Sequence, residues 1–142
     1  MKVKDIMSTD VVCLSRDDTV DHAAQLMEQN GIGSIPVCDG STVVGIVTDR
    51  DITLRTVASG SGTNLTVGQV MTPNPVVAQP ETDIHDAARL MSDNQIRRIP
   101  IVQQGSLVGI VSLGDISTDP QLQDNAEQAL KNISQPGGSH MS

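Results

Sequence analysis

The chain contains the same pattern twice. Residues 3–52 align with residues 67–116 without a gap, at a constant separation of 64 residues, and 17 of the 50 paired positions are identical. The longest identical run covers residues 44–47 and recurs at residues 108–111. A gapless match of this length indicates duplication of one supersecondary unit. A unit of about 50 residues is marginal alone, so the fold is expected to need both copies.

Each copy has the pattern of a β-α-β-β-α unit. Short runs rich in β-branched residues predict strands, and apolar residues at helical spacing between Thr19 and Gly31 predict a capped helix. Asp39-Gly40 is typical of a hairpin turn. In the first copy the pattern predicts strands over residues 11–14, 34–38 and 43–47, a helix over residues 20–30, and a second helix over residues 52–57.

These elements predict an α+β fold in which two pseudo-symmetric β-α-β-β-α repeats pack sheet to sheet. A three-stranded sheet with helices on one side leaves its other apolar face uncovered, and a second copy can cover that face. Composition places a flexible linker at residues 59–66, between repeats at residues 1–58 and 67–118.

The polar tail, residues 119–142, breaks the repeat. Residues 137–142, with His140, have the composition of a disordered or appended end and carry no functional weight. Residues 121–133 predict one polar helix, whose apolar stripe consists of Leu122, Ala126, Ala129, Leu130 and Ile133.

The composition excludes several classes of partner. The chain has no Phe, Tyr or Trp, so it offers no aromatic surface on which nucleic-acid bases could stack. Nine basic residues against 17 acidic residues give a net charge of −8, which repels nucleic-acid phosphates and anionic membranes. No apolar run approaches the ~20 residues that a membrane span needs, and no signal-peptide pattern follows Met1. We therefore expect a cytoplasmic protein that binds neither nucleic acid nor membrane.

The junction after the third predicted strand has the same polar pattern in both copies. Thr48 and Asp51 correspond to Ser112 and Asp115. A hydroxyl residue followed three positions later by an acid predicts a capping box at the start of a helix. The same turn offers N–H groups to an anion, and its carboxylate can accept hydrogen bonds from the two hydroxyls of a ribose. The junction therefore suits a nucleoside phosphate better than a bare anion.

Arg97 and Arg98 are the only adjacent pair of basic residues in this acidic chain, and the first copy has Gly33 and Ser34 at the matching positions. A planar guanidinium group donates two parallel hydrogen bonds to phosphate oxygens. If the copies pack symmetrically, the pair lies opposite the capping box of the first copy, and one of two related clefts becomes the better phosphate site. A solvated surface pair balanced by nearby acids is the alternative interpretation.

The sequence lacks the patterns of an enzyme. His22 and His85 each stand beside an acid near a helix start, and the repeat pairs each histidine with an aspartate of the other copy. A ring that is interchangeable with a carboxylate is typical of a solvated helix start rather than of a general base. Cys13 and Cys38 lack CxxC spacing and are expected to be small core residues. We therefore expect no catalysis and no required cofactor.

The duplicated motifs resemble those of cystathionine-β-synthase (CBS) domains, arranged as the tandem pair called a Bateman module. The resemblance covers about residues 1–118 and rests on four motif pairs: Asp-Ile-Met-Ser with Gln-Val-Met-Thr, Ala-Ala-x-Leu-Met in both copies, Ile-Pro-Val with Ile-Pro-Ile, and Gly-Ile-Val-Thr-Asp-Arg-Asp with Gly-Ile-Val-Ser-Leu-Gly-Asp. It implies a homodimer that acts as a regulatory sensor. The implied ligands are adenosine compounds such as AMP, ADP, ATP, S-adenosylmethionine or NAD, and the implied output is contact with an unidentified protein partner.

The resemblance also assigns residues to two clefts between the repeats. The first cleft would use the Thr48 hydroxyl near phosphate or ribose, Asp51 for the ribose hydroxyls, the backbone around Val77 for adenine, and Arg97 and Arg98 for phosphates. Without aromatic residues, adenine would lie between aliphatic side chains such as Ile6, Ile35, Met71 and Ile99.

The second cleft would combine Ser112, Asp115, Cys13, Gly33 and Ser34, with Arg50 as its only basic residue. Gly33-Ser34 departs from the basic residues often found there in nucleotide-binding members of the family, so weaker phosphate recognition is expected at this cleft.

Two other functions fit the same residues. The chain could be a ligand-free dimerisation or protein-interaction scaffold, in which the Thr48–Asp51 and Ser112–Asp115 pairs only cap helices. It could also be a metal or thiol sensor that uses Cys13 or Cys38, which is the weaker alternative. Because the chain has no Trp or Tyr, absorbance near 260 nm reveals a co-purified adenine directly.

Overall fold

The structure is a computed structural model that describes residues 1–60, 62, 64–117 and 123–133, with only the backbone described for residues 123–127. The chain forms two compact units. The repeat-1 unit is Val12–Pro75, and the repeat-2 unit combines Met1–Val11 with the described residues from Val76 onward. The units do not follow the repeats of the sequence, because residues 3–11 belong with the second repeat and the equivalent residues 67–75 belong with the first.

The repeat-1 unit begins with helix α1 (Val20–Asn30). The Thr19 side chain caps this helix by accepting a hydrogen bond from the N–H of His22 at 3.1 Å. The helix ends at Gly31, whose φ of +62° is a left-handed conformation that glycine adopts without a steric penalty. The predicted helix over residues 20–30 is therefore confirmed, with both of its end signals.

A hairpin follows in the same unit. Strands β1 (Ser34–Asp39) and β2 (Thr42–Thr48) pair antiparallel, and their register places Ser34 opposite Thr48. The unit is completed by helix α2 (Asp49–Ile52), a π-helical turn at Thr53–Val57, helix α3 (Val67–Val70) and strand β3 (Thr72–Pro73), which pairs with β2.

The repeat-2 unit has the corresponding elements and one more helix. This unit includes a 3₁₀ turn at Val3–Asp5. The turn has the same place in the first repeat that α3 has in the second. Strands β4 (Arg98–Gln103) and β5 (Ser106–Ser112) form the hairpin, with Arg98 opposite Ser112 in the register. The elements are α4 (Ile84–Asn94), β4 (Arg98–Gln103), β5 (Ser106–Ser112), α5 (Leu113–Ser117) and α6 (Gln123–Ile133).

Each unit has its own apolar core, filled largely by equivalent residues. Ile35 and Val47 in the repeat-1 core, like Ile99 and Val111 in the repeat-2 core, have no exposed surface. Val3 and its equivalent Val67 are also fully buried. Val3 lies in the core of the repeat-2 unit, and Val67 lies in the core of the repeat-1 unit. Burial of this kind stabilises each unit by roughly 1.5–3 kcal/mol for each such side chain.

Three predictions of secondary structure need correction or extension. Residues 11–14 do not form a strand, because only Leu14 bridges to Val37 while the rest of the run makes no ladder. The second helix starts at Asp49 rather than Ile52, since its capping box lies one turn earlier. In α6, Ala129 and Ile133 are buried as predicted, but Leu130 is 45% exposed.

Parts of the predicted tail lie outside the described residues, namely Leu122, the side chain of Ala126, and residues 137–142 with His140. Within the residues that the structure does describe, no helix is both long enough and apolar enough to cross a membrane.

Candidate functional site

The predicted capping box of the first repeat is present at the start of α2. The N–H of Asp51 donates to the Thr48 hydroxyl at 3.0 Å, and the N–H of Thr48 donates to the Asp51 carboxylate at 3.1 Å. Thr48 is only 4% exposed, and the side chain of Asp51 is 13% exposed. The box therefore fixes the Asp51 carboxylate at the strand-to-helix junction, where it also contacts residues from another part of the unit.

Two residues that the sequence did not single out hold Asp51 from the other side. The Thr72 hydroxyl donates to its carboxylate at 3.4 Å, and a guanidinium nitrogen of Arg55 lies 3.9 Å from it. Arg55 also donates to the carbonyl oxygens of Val70 and Met71 at 2.8 and 3.0 Å. The spacing of four residues between Asp51 and Arg55 on a predicted helix was the available signal for this pair. Arg55 thus ties α2 and its π-helical extension to the segment that precedes β3.

The second repeat forms the same box. The N–H of Asp115 donates to the Ser112 hydroxyl at 3.1 Å, and the N–H of Ser112 donates to the Asp115 carboxylate at 2.9 Å. Both residues are partly buried. The structural interpretation of the repeated motif is therefore confirmed in both copies, and the geometry leaves a carboxylate at each junction.

Arg97 and Arg98 lie at the start of β4, beside the Ser112–Asp115 box. The carbonyl of Arg97 accepts a hydrogen bond from the N–H of Leu113 at 2.9 Å, which brings the pair to the junction. The Arg97 side chain is exposed and that of Arg98 is partly buried. Within the described part of the chain, neither guanidinium group forms a hydrogen bond or an ion pair. The acids that the alternative interpretation requires are therefore not in contact with them there.

The equivalent junction of the first repeat has a different charge. The carbonyl of Gly33 accepts from the N–H of Asp49 at 2.9 Å, and Ser34 is buried opposite Thr48. A Cβ atom placed on Gly33 would meet the Asp49 carboxylate at 3.1 Å. The exposed residue Arg50 follows Asp49 directly. This junction therefore presents one acid and one base beside the box, where the second repeat presents two arginines and no acid.

Val77 and Cys13 occupy equivalent positions, one residue before a bridge to the hairpin. Ala78, which follows Val77, donates to the carbonyl of Pro100 and accepts from the N–H of Val102. Val77 is 39% exposed, and its own N–H and C=O groups form no backbone hydrogen bond among the described residues. The contact of these backbone groups with adenine stays a prediction.

The predicted aliphatic clamp for adenine is wrong for two of its residues. Ile35 and Ile99 have no exposed surface, and Met71 is 7% exposed, because all three belong to the cores of their units. Ile6 is partly buried. The prediction assigned the two isoleucines to a ligand from their motif alone, but their side chains pack in the apolar cores of their units.

The two cysteines are in different environments. Cys38 is buried as predicted, but the prediction of a core position is wrong for Cys13, which is exposed. Burial raises the pKa of the Cys38 thiol to about 11, and the neighbouring Cys13 thiol adds to the shift. A thiol that stays protonated near neutral pH is a poor nucleophile and metal ligand. No group of three or more His, Cys, Asp or Glu residues in the described ranges is arranged to hold a metal ion.

These motifs and their geometry agree with the result of comparison with known families. The CBS domain family matches the chain twice, at residues 3–56 and 67–118. The chain belongs to the CBS domain family. The two matched segments are the two copies found in the sequence, so the chain carries a tandem pair of CBS domains, as the resemblance implied.

The chain is similar to known proteins along most of its length. The CBS domain-containing protein YhcV of Bacillus subtilis is 45% identical over 132 residues, which are 93% of this chain and 94% of YhcV. The crystal structure of CBSX2 in complex with AMP has a TM-score of 0.73 and 32% identity, covering 87% of this chain and 97% of that one. The crystal structure of Hypoxic Response Protein I with two coordinated zinc ions has a TM-score of 0.77 and 32% identity, covering 83% and 98%.

The structure thus brings together Thr48 with Asp51, Ser112 with Asp115, and Arg97 and Arg98 with the second of these boxes. Gly33, Ser34 and Arg50 lie at the first box in the same way. The grouping of residues from both units into two shared clefts stays a prediction.

Proposed function

We propose that this pair of CBS domains is a non-enzymatic regulatory module that binds an adenosine nucleotide. AMP, ADP and ATP are the first candidates, with S-adenosylmethionine and NAD as related ones. The nucleotide would bind in a cleft between the two repeats and change the affinity of a homodimer for a protein partner. A ligand shifts such an equilibrium only by the difference between its affinities for the two states.

One observation carries this proposal. Two guanidinium groups at the start of β4 have no carboxylate partner among the described residues of an acidic chain. A pair of guanidinium groups without a carboxylate partner is a suitable environment for a phosphate group, because each can donate two parallel hydrogen bonds to its oxygens. The complex of the similar protein CBSX2 with AMP supports the same class of ligand.

Each residue of the first cleft has a proposed role that follows from its chemistry. The Asp51 carboxylate accepts hydrogen bonds from the ribose hydroxyls, and Thr48 holds it in place through the capping box. The free backbone groups of Val77 pair with the adenine edge. Arg97 and Arg98 donate to the phosphates. Arg55, which the sequence did not predict, keeps Asp51 oriented toward the ligand.

The second cleft, with Ser112, Asp115 and Cys13, is proposed to bind phosphate poorly. Asp49 places a carboxylate where the second repeat has Leu113, and Gly33 and Ser34 contribute no positive charge. Arg50 is the only base that the first-repeat junction contributes to this second cleft. We therefore expect one strong phosphate-dependent site in each chain.

The test is a titration of the intact protein with adenosine, AMP, ADP and ATP by isothermal calorimetry, supported by thermal shift. Affinity should rise from adenosine to the nucleotides. Arg97→Ala and Arg98→Ala should each weaken nucleotide binding by about 1.5–3 kcal/mol and leave adenosine almost unchanged. Asp51→Asn should weaken adenosine and nucleotides alike. Arg89→Ala, which removes an exposed arginine of α4, is the matched control and should have no effect.

The same titration separates the alternatives. A scaffold without a ligand gives no heat and no thermal shift with any of the four compounds. A protein that binds zinc, as Hypoxic Response Protein I does, is stabilised by the metal in the absence of nucleotide. Equal nucleotide affinity of the wild type and both arginine variants contradicts the assigned cleft. Sedimentation velocity with and without nucleotide tests the proposed homodimer.

A further inference from the structure

The two cysteines of the chain flank one short contact between distant segments of the repeat-1 unit. The bridge between Leu14 and Val37 is parallel. The N–H of Leu14 donates to the carbonyl of Pro36 at 3.0 Å, and the N–H of Cys38 donates to the carbonyl of Leu14 at 2.8 Å. Cys13 directly precedes Leu14, and Cys38 directly follows Val37. The bridge therefore brings the two cysteines together, and their side chains share a hydrogen-bond contact.

A second contact holds the same two segments together. The guanidinium group of Arg16 forms an ion pair with the Asp39 carboxylate at 3.0 Å. The backbone of Cys13 itself forms no backbone hydrogen bond among the described residues. Cys13 can therefore make the small adjustment that the geometry of an S–S bond requires, while the bridge and the ion pair keep it beside Cys38.

The repeat-2 unit has the same bridge without the thiols. Its bridge joins Ala78 and Ile101, and Val77 and Val102 occupy the positions of the two cysteines. Two valines are thus sufficient for this contact, so the thiols are not needed for the fold. Both cysteines of the chain nevertheless occupy one such pair of positions.

The two thiols differ in exposure, which gives them different roles. Cys13 is exposed and can meet a reagent from solution, whereas Cys38 is buried. Burial is also the main reason why the pKa of the Cys38 thiol is raised to about 11. A thiol in this state reacts slowly with reagents in solution. Cys13 is therefore the residue that attacks first, and Cys38 reacts with what Cys13 has bound.

We propose that Cys13 and Cys38 form a reversible disulfide within the chain by exchange with a low-molecular-weight disulfide. The Cys13 thiolate attacks one sulfur of the small disulfide, which releases one small thiolate and leaves a mixed disulfide on Cys13. The Cys38 thiolate then attacks the Cys13 sulfur, and the second small thiolate leaves. The protein loses two electrons and two protons, and the small disulfide takes them up to become two thiols.

The test equilibrates the intact protein with mixtures of oxidised and reduced glutathione, in buffer and in denaturing urea. Acid quenching, alkylation of the free thiols and mass spectrometry measure the fraction of disulfide-bonded chain. The equilibrium constant for the disulfide should be about tenfold or more larger in the folded protein than in urea, because the fold already holds the two segments together. An equal or smaller constant in the folded protein overturns the proposal, as does a disulfide between two chains.

Two variants that take the residues of the second repeat test the order of attack. Cys38→Val should stop the reaction at the mixed disulfide, so this variant should retain glutathione on Cys13. Cys13→Val is the matched control and should leave the buried Cys38 unmodified. Both variants should keep the far-ultraviolet circular dichroism of the wild type. Modification of Cys38 in Cys13→Val as fast as that of Cys13 in Cys38→Val overturns the assigned roles. Arg97→Ala should form the disulfide normally, which separates this pair from the proposed nucleotide site.

Discussion

At the end of β2, Thr48 and Asp51 form the same reciprocal cap that Ser112 and Asp115 form at the end of β5. The residues around these caps differ. Asp49 and Arg50 follow the first cap, and Leu113 and Gly114 follow the second, beside Arg97 and Arg98. A duplicated unit has kept the groups that hold its backbone and changed the groups that face outward. The shared motif therefore indicates the fold, and the charge beside it is the feature on which the proposed phosphate site depends.

The largest expected effect tests whether the two scaffolds are equivalent. Ile35→Ala and Ile99→Ala each remove a side chain with no exposed surface from the core of one unit. Each should lower the free energy of unfolding by about 2–5 kcal/mol, because the cavity adds to the loss of buried area. Urea unfolding followed by far-ultraviolet circular dichroism measures this. A loss below about 1 kcal/mol for only one variant would show that the two cores are not equivalent.

An intermediate effect is expected from converting one junction into the other. The double substitution Gly33→Arg with Asp49→Leu gives the first repeat the residues of Arg97 and Leu113, and removing the carboxylate makes room for the new Cβ atom. If charge decides phosphate binding, calorimetry should show a second nucleotide site that is stronger by about 1.5–3 kcal/mol.

Asp49→Leu alone is the control for this exchange, and it should strengthen the second site less than the double substitution does. An unchanged stoichiometry in the double variant, with the fold intact, would mean that charge at the junction does not limit binding.

The smallest effect concerns the ion pairs that Lys2 and Lys4 form with Glu81 in the repeat-2 unit. The hydrogen bond from Lys2, followed by that from Lys4, lowers the pKa of Glu81 to about 2 from an ordinary value of 4.5. The repeat-1 unit has Asp17, Thr66 and Gly68 at the equivalent positions. Because the folded-state pKa is depressed, the stabilisation is present above pH 4.5 and is lost as the pH falls toward 2.

The measurement is the urea midpoint of the wild type and Glu81→Gln at about pH 6 and about pH 2.5, on either side of the ordinary carboxyl pKa. The wild type should be slightly more stable at the higher pH, and the difference should shrink at the lower pH and in high salt, since these side chains are solvent-exposed. A difference that persists in acid would point to packing rather than to charge. In the first repeat, the substitution Asp17→Glu should gain nothing, because neither Thr66 nor Gly68 supplies a lysine partner there.

The elements with strong local signals could be predicted from the sequence. Helix α1 has a capping residue, helical spacing and a glycine stop directly after its eleven residues, and the hairpins have alternating patterns around short turns. Residues 11–14 show the limit of such signals. Their β-branched run is typical of a strand, but a strand also needs a partner along its length, and only Leu14 finds one.

The candidate site could be predicted only in part, because the sequence shows local signals and not contacts between distant residues. The two caps are local, so a spacing of three residues was enough to find them. The contact of Thr72 with Asp51 joins residues 21 positions apart and could not be seen in the spacing. The assignment of Ile35 and Ile99 to a ligand failed because a motif names a residue and does not say which way its side chain packs.

By itself, the sequence determined the duplication, the caps and the uneven charge of the two copies, because each is a property of residues that are identical or adjacent in the chain. Tertiary structure alone decided that residues 3–11 belong with the second repeat and residues 67–75 with the first, and that α6 packs against α4 and α5. These outcomes depend on contacts between segments that are distant in the chain. The free energy of such contacts comes from burial of apolar surface, which a local sequence pattern does not predict.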